Sequence, residues 1–365
     1  FTLFLILTPG VYGQDNSSLS ILNIQATTDN NAQMIISSLD EQGNPIKGIK
    51  KDNLKLTIDG KEIKEFSVEP VSSANNPLSI ILAIDVSGSM HGLPIKGAKK
   101  AASVFLDQID KEDFVALITF GSSVKSLSDF TREKYKTREK VEGLIANEQF
   151  TWLYQATNDG LDKALKAPTS RVAIILLTDG KDEGSPNKEE DVLKKLKGMY
   201  VPVYTLGFSP AAQIDYLKTV ANISGGYFLH TPKAEELTKL YTIVLNQLKN
   251  QYLIKFNFPN PPGDYACILT LNYQGTAISA RRSFLFTANG ESRPIGRDWF
   301  KNPLSVILIG LAVLILASIG YLYRRIRPAD VQKAEINVMI NKKIHPLSFS
   351  SEKLDGTATV IQPTA

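Results

Sequence analysis

A single cysteine, Cys267, excludes an intrachain disulfide and any cysteine-built zinc site. The three histidines, His91, His230 and His345, are scattered and form no ligand cluster. Charge of one sign is lacking too: 41 Lys and Arg stand against 37 Asp and Glu, a formal net charge of +4 that is small for 365 residues. Lysine pairs such as Lys50-Lys51 and Lys99-Lys100 sit beside apolar periodic residues and read as solvated faces, so no nucleic-acid partner is expected. What is present, 43% hydrophobic and 21% charged residues, is the mixture of a globular chain with room for about two or three domains.

Two segments depart from globular patterning. The first is the apolar run Phe1–Thr8, followed by Pro9-Gly10 and then Val11-Tyr12-Gly13. An apolar core with a small-x-small ending reads as a secretory signal cleaved after Gly13, and the missing Met and basic start make it a partial one. The second is Leu304 to Tyr323, twenty residues without a charge, which at 1.5 Å per residue spans a hydrocarbon core. Arg324, Arg325 and Arg327 follow at once and favour a cytoplasmic C-terminus, while Trp299, Tyr321 and Tyr323 suit interfacial belts. Together they predict a single-pass cell-membrane protein with its N-terminal domains extracytoplasmic. Beyond Arg327, Ala334–Ile340 and Thr357–Gln362 look extended, either in a disordered tail or at the start of a cytoplasmic domain.

Between these landmarks the periodicity changes twice. Ser20 to Val68 alternates with turn signals. Leu54, Leu56 and Ile58 lead to Asp59-Gly60, a hairpin dipeptide, after which Ile63, Phe66 and Val68 read as the returning strand. From Leu78 to about Lys249, apolar strands alternate with helical patterns. Runs without polar alternation, such as Ile80–Ile84 and Ile174–Leu177, suit a parallel sheet covered on both faces. After Lys249 a period of two returns, through Tyr252, Ile254 and Phe256, then Cys267, Leu269 and Leu271, then Phe284 and Phe286. Neither β segment can bury an apolar face alone, so one sandwich built from both halves, with the α/β unit inserted, is the economical solution.

The first buried strand ends in Asp85-Val86-Ser87-Gly88-Ser89, and a second ends in Thr178-Asp179-Gly180. In a doubly wound sheet, ligands bind beyond the carboxyl ends of the strands, so two acids and several hydroxyls converge on one mouth. An all-oxygen, hard site of this kind suits Mg²⁺, with Mn²⁺ or Ca²⁺ as alternatives; soft metals would want Cys or His. The bland alternative is a capping turn before the next helix. Hydrolysis competes as a function, since a metal beside two Asp residues can activate water. No base, Ser-His-Asp set or phosphate loop accompanies it, and His91 alone is near enough in sequence to act.

These residues resemble the metal-ion-dependent adhesion site (MIDAS) of von Willebrand factor A-type domains, Asp-x-Ser-x-Ser followed by a Thr and an Asp. The matching positions are Asp85, Ser87, Ser89, Thr151 and Asp179. Glu148-Gln149-Phe150 precedes Thr151 where the family usually has small residues, often glycines. The resemblance covers roughly Asn76 to Lys249. It implies that Ser87 and Ser89 bind the metal directly, Thr151 directly or through water, and Asp85 and Asp179 partly through water. It leaves one position for the Asp or Glu carboxylate of a protein ligand.

The implied fold class is α/β: a doubly wound, Rossmann-like domain inserted in a small β-sandwich, plus one C-terminal transmembrane helix. The expected division is 1–13 signal, 14–75 first half of the sandwich, 76–250 A-type domain, 251–290 second half, 303–323 transmembrane helix and 324–365 cytoplasmic tail. The function implied is Mg²⁺-dependent protein binding in adhesion or complex assembly, without enzymatic activity. The alternatives are a regulatory or structural subunit of a membrane or envelope complex and, last, a metal-dependent hydrolase.

Overall fold

The computed structural model describes residues 17–26, 31–209, 212–258 and 261–286, with the strand backbones 292–294, 349–354 and 358–363. The expected signal (1–13), the apolar run (303–323) and Ala334–Ile340 lie outside the described residues. Among the described residues no helix is long and apolar enough to cross a membrane.

The chain opens with an antiparallel pair, β1 (Ser18–Ala26) and β2 (Asn31–Leu39). In β3 (Leu54–Ile58), Leu54, Leu56 and Ile58 are buried and Lys55 is exposed, the period of two that a half-buried strand demands. Asp59 (φ 48°) and Gly60 (φ 78°) then turn the chain tightly into β4 (Lys61–Ile63), followed by β5 (Phe66–Pro70).

The α/β unit follows as β6 (Leu78–Asp85), α1 (Leu93–Gln108), β7 (Phe114–Phe120), β8 (Val124–Thr131), α2 (Lys134–Glu142) and α3 (Leu153–Ala164). It continues as β9 (Arg171–Thr178), α4 (Glu189–Lys197), β10 (Val203–Phe208), α5 (Ile214–Ser224), β11 (Phe228–Thr231) and α6 (Leu237–Lys249). Its sheet has the order β11-β10-β9-β6-β7-β8 and is parallel except for β8, an antiparallel edge strand. The purely parallel sheet suggested by the sequence is corrected at that edge. VKSLSDFT lacks an apolar run because the strand covers an edge instead of crossing the core. All eight residues of β6 are buried, so its side chains serve two layers. Ile80, Leu82 and Ile84 pack with α1 and α6, and Ile81 and Ala83 with α3, α4 and α5. Helix α1 buries Ile95, Ala98, Ala101, Ala102, Phe105 and Leu106, one stripe at helical spacing, and sets Phe105 edge-on to Tyr241 of α6 at 5.7 Å.

After α6 come β12 (Tyr252–Asn257), β13 (Gly263–Tyr273), β14 (Thr276–Phe286) and β15 (Ser292–Pro294). Each sandwich sheet draws on both halves of the chain: β1-β2-β12-β5 in one, β15-β14-β13-β3-β4 in the other. One core joins them, with Met34, Ile36 and Ile254 from the first and Leu56, Leu269 and Phe284 from the second. Phe258 sits among Tyr265, Phe284 and Phe286 at 4.9 to 5.6 Å. Cys267 is buried here, and burial pushes its thiol up to about 12, the chemistry of a packing residue. One expectation fails: Ile63, Phe66 and Val68 are not a single returning strand. Ile63 pairs with Leu56, whereas Phe66–Pro70 crosses to the other sheet and pairs with β12. Both sheets feed the same core, so the apolar pattern alone could not separate them.

Arg171, the first residue of β9, ties the two linkers between sandwich and α/β unit together. Its Nε donates to Gln251 Oε1 at 2.8 Å, Nη1 to the Asn76 carbonyl at 3.2 Å, and Nη2 to the Leu248 carbonyl. Separately, β16 (Phe349–Leu354) and β17 (Ala358–Pro363) form an antiparallel hairpin in the second compact unit, 298–365.

Candidate metal centre

Strands β6 and β9 are adjacent and parallel, with Ile84 beside Leu177, so their C-terminal ends bring Asp85 and Asp179 to the same mouth. Asp85 is fully buried. Thr178 donates its hydroxyl to Asp85 Oδ2 at 2.6 Å, and the Ser87 backbone N–H donates to Oδ1 at 2.8 Å. The Ser87 and Ser89 hydroxyls lie 3.0 Å apart, and Ser89 donates to Asp179 Oδ1 at 2.8 Å. Asp85, Ser87, Thr151 and Asp179 are 0 to 4% exposed, while Ser89 is exposed at the opening. Thr151 adjoins Asp179 through Gly180, where a Cβ would come within 3.4 Å of Thr151 Oγ1. All five residues of the motif are therefore brought together at the C-terminal ends of β6 and β9.

Electrostatics single out the two acids. Burial raises Asp85 to about 7, against the pull of hydrogen bonds from Thr178 and Ser87, and the neighbouring Asp179 charge adds to the rise. Burial raises Asp179 as well, partly offset by Ser89. Among the described residues neither carboxylate forms an ion pair, and no three His, Cys, Asp or Glu converge. The donor set is two carboxylates and hydroxyls, with no Lys or Arg paired to either acid among the described residues. That chemistry fits a hard divalent ion, whose charge would reverse the penalty on ionised Asp85. A bare capping turn would leave the second acid and its burial unexplained.

The departure before Thr151 is absorbed by the fold. Glu148 runs beside Ser87 as a one-residue parallel bridge: its N–H donates to the Val86 carbonyl at 3.2 Å, and its carbonyl accepts from Gly88 at 2.6 Å. Its carboxylate accepts from the Ser122 N–H at 3.0 Å and from Lys125 at 2.5 Å. The side chain crosses so close to Gly121 that a Cβ there would lie 2.3 Å from Glu148 Cβ, so only glycine fits. Ser122 Oγ then accepts from the N–H groups of Gln149 (3.1 Å) and Phe150 (3.0 Å), fixing the approach to Thr151.

Other residues support the site without any signal in the sequence. In the sequence Thr178 belongs to the second motif, and only strand pairing makes it a partner of Asp85. Asp182 holds the Tyr154 N–H at 2.9 Å, and Ser209 donates to the Asp179 carbonyl at 3.0 Å. No spacing rule signals such contacts, because they join loops from different crossovers. His91 Nδ1 donates to the Ala146 carbonyl at 3.3 Å, which occupies that ring nitrogen with a loop contact. His230 is buried against Phe228 and the Ser209 carbonyl.

The family model for the von Willebrand factor type A domain matches residues 79–243. The chain carries a von Willebrand factor type A domain. Bovine inter-alpha-trypsin inhibitor heavy chain H3 is 30% identical over 159 residues, covering 40% of this chain and 18% of that protein. An uncharacterised Synechocystis protein is 28% identical over 178 residues, covering 48% and 42%. The chain thus spans under half the length of the curated relatives it matches. Among solved structures, a von Willebrand factor type A protein of Catenulispora acidiphila aligns with a TM-score of 0.46 at 13% identity, over 80% of this chain and 74% of that one. The mussel byssus protein PTMP1, with a zinc-occupied MIDAS motif, aligns at 0.41 and 18% identity over 47% of each chain. Type A domains bind a divalent metal at the MIDAS and commonly mediate protein–protein interaction, and proteins that carry them are mostly not enzymes.

Proposed function

We propose that the type A domain holds Mg²⁺ with Asp85, Ser87, Ser89, Thr151 and Asp179 and uses it to grip an Asp or Glu of a protein partner, without catalysing a reaction. The observation that supports this best is the buried pair Asp85 and Asp179, surrounded by hydroxyls and unpaired with any Lys or Arg among the described residues. The ion would supply a positive centre with a position open to one more anion. Asp85 and Asp179 supply charge, Ser87 and Thr151 supply buried oxygens, and Ser89 stands where a partner enters. We place the domain outside the cell, anchored by one span over 303–323 with the tail 324–365 inside. The apolar run followed by Arg324, Arg325 and Arg327 supports this topology. The test is capture of envelope proteins on the immobilised chain, in Mg²⁺ and in EDTA. Proteins retained in Mg²⁺, released by EDTA and absent from an Asp85→Ala column are expected. Identical retention on both columns would refute the reading.

A further inference from the structure

Six large hydrophobic side chains are well exposed among the described residues, and three stand next in sequence to the segments that carry the candidate metal site: Leu93 at 66% as the first residue of α1, and Ile145 at 69% and Phe150 at 44% in the loop before Thr151. A lone exposed Leu means little on a soluble surface, but several around one polar opening mark a binding face. Leu93 opens α1 just after the Ser87–Met90 turn. Ile145 and Phe150 flank Glu148, the residue bridged to Ser87, and Phe150 adjoins Thr151. The bond from His91 to the Ala146 carbonyl joins the Leu93 and Ile145 segments, and the bond from the Phe150 N–H to Ser122 Oγ holds Phe150 in place. Leu93, Ile145 and Phe150 therefore belong to segments tied by these bonds to the turn that bears Ser87 and exposed Ser89.

We propose that Leu93, Ile145 and Phe150 form a specificity rim, and that the partner's acid is carried on a segment with apolar side chains next to it. This rests on the metal-site reading above. The carboxylate meets the metal-site hydroxyls and the ion, while the flanking apolar groups cover the rim. A partner with acids in a polar stretch would satisfy the ion but leave the rim wet. Gln149 beside Phe150, and Lys181 and Glu183 just after Asp179, are exposed polar residues on the same loops and add hydrogen-bonding groups to this face.

The test uses three small carboxylates, acetate, 3-methylbutanoate and 3-phenylpropanoate, titrated into the purified chain with ligand-observed NMR. In Mg²⁺ the affinity should rise about tenfold or more along the series, as burial of the added hydrocarbon requires, and vanish in EDTA. The variant L93S/I145S/F150S should keep its Mg²⁺-induced thermal shift and its acetate binding but lose the rise; if the thermal shift is lost, L93S and I145S are tested singly. Equal affinities across the series in the wild-type chain, or an undiminished rise in the variants, would overturn the proposal. Failure of the metal site itself is read separately, as no Mg²⁺-induced thermal shift in the wild-type chain, and removes the rim with it. Sedimentation velocity closes the remaining route: a Mg²⁺-independent dimer that the variants dissolve would assign the rim to self-association and also overturn the proposal.

Discussion

At the scale of single residues, Asp85 has an observed burial and a proposed metal-binding role, which substitution can separate. Its carboxylate is fully buried among hydroxyls, so in the metal-free protein the charge destabilises the fold, whereas in the proposed site it would hold the ion. Asp85→Asn keeps the shape and can still accept from Ser87 while donating to Thr178. At pH 8 without metal, the variant should be as stable as wild type or up to about 3 kcal/mol more stable by denaturant melts. It should also lack the rise in melting temperature that Mg²⁺ is expected to give wild type. A variant clearly less stable than metal-free wild type would mean that Asp85 is structural. The aspartates and serines of this site were legible because each follows a strand whose apolar run has no polar interruption, such as Ile80–Ile84. Thr178 as a partner of Asp85 was not, because that contact depends on strand pairing in the sheet.

At the scale of elements, the loop leading to Thr151 decides whether the site is complete. Glu148 holds it mainly through backbone bonds to Val86 and Gly88, and Gly121 provides the room. Glu148→Ala should therefore weaken Mg²⁺ binding only a few-fold, while Gly121→Val should weaken it tenfold or more by pushing the loop away. Titration calorimetry on both variants checks this, and the reverse ranking would contradict it. The element pattern was readable where strands are buried on both faces and helices show one apolar stripe, as in β6 and α1. It failed for β8, whose polar edge sequence carries no period, and between Ile63 and Phe66, where the chain changes sheets inside one core. The glycine at 121 was also invisible, since its neighbour is 27 positions away in the chain.

At the scale of the molecule, the sandwich and the type A domain meet through both linkers at Arg171. Its guanidinium is buried, and burial holds its pKa below the usual range, yet three acceptors keep it in place. Arg171→Met should cost about 3 kcal/mol, because it strands two carbonyls and the Gln251 amide oxygen. It should also separate one thermal transition into two by calorimetry. A single, unshifted transition would show that the junction contributes nothing. Because each sheet mixes strands from both ends of the chain, residues 17–70 and 251–286 expressed apart should give undispersed amide spectra and should fold only when joined. That arrangement was inferable because each segment alternates yet has no second layer to cover it. The clamp by Arg171 was not, because an arginine at a strand start usually reads as solvated.

The central claim, a divalent-metal site built on Asp85, is tested most directly by isothermal titration of Mg²⁺ into the wild-type chain and Asp85→Ala. A saturable one-site heat in wild type, absent from the variant while its circular dichroism is unchanged, is the predicted result. Equal Mg²⁺ affinity in both proteins, or no binding to either, would contradict it.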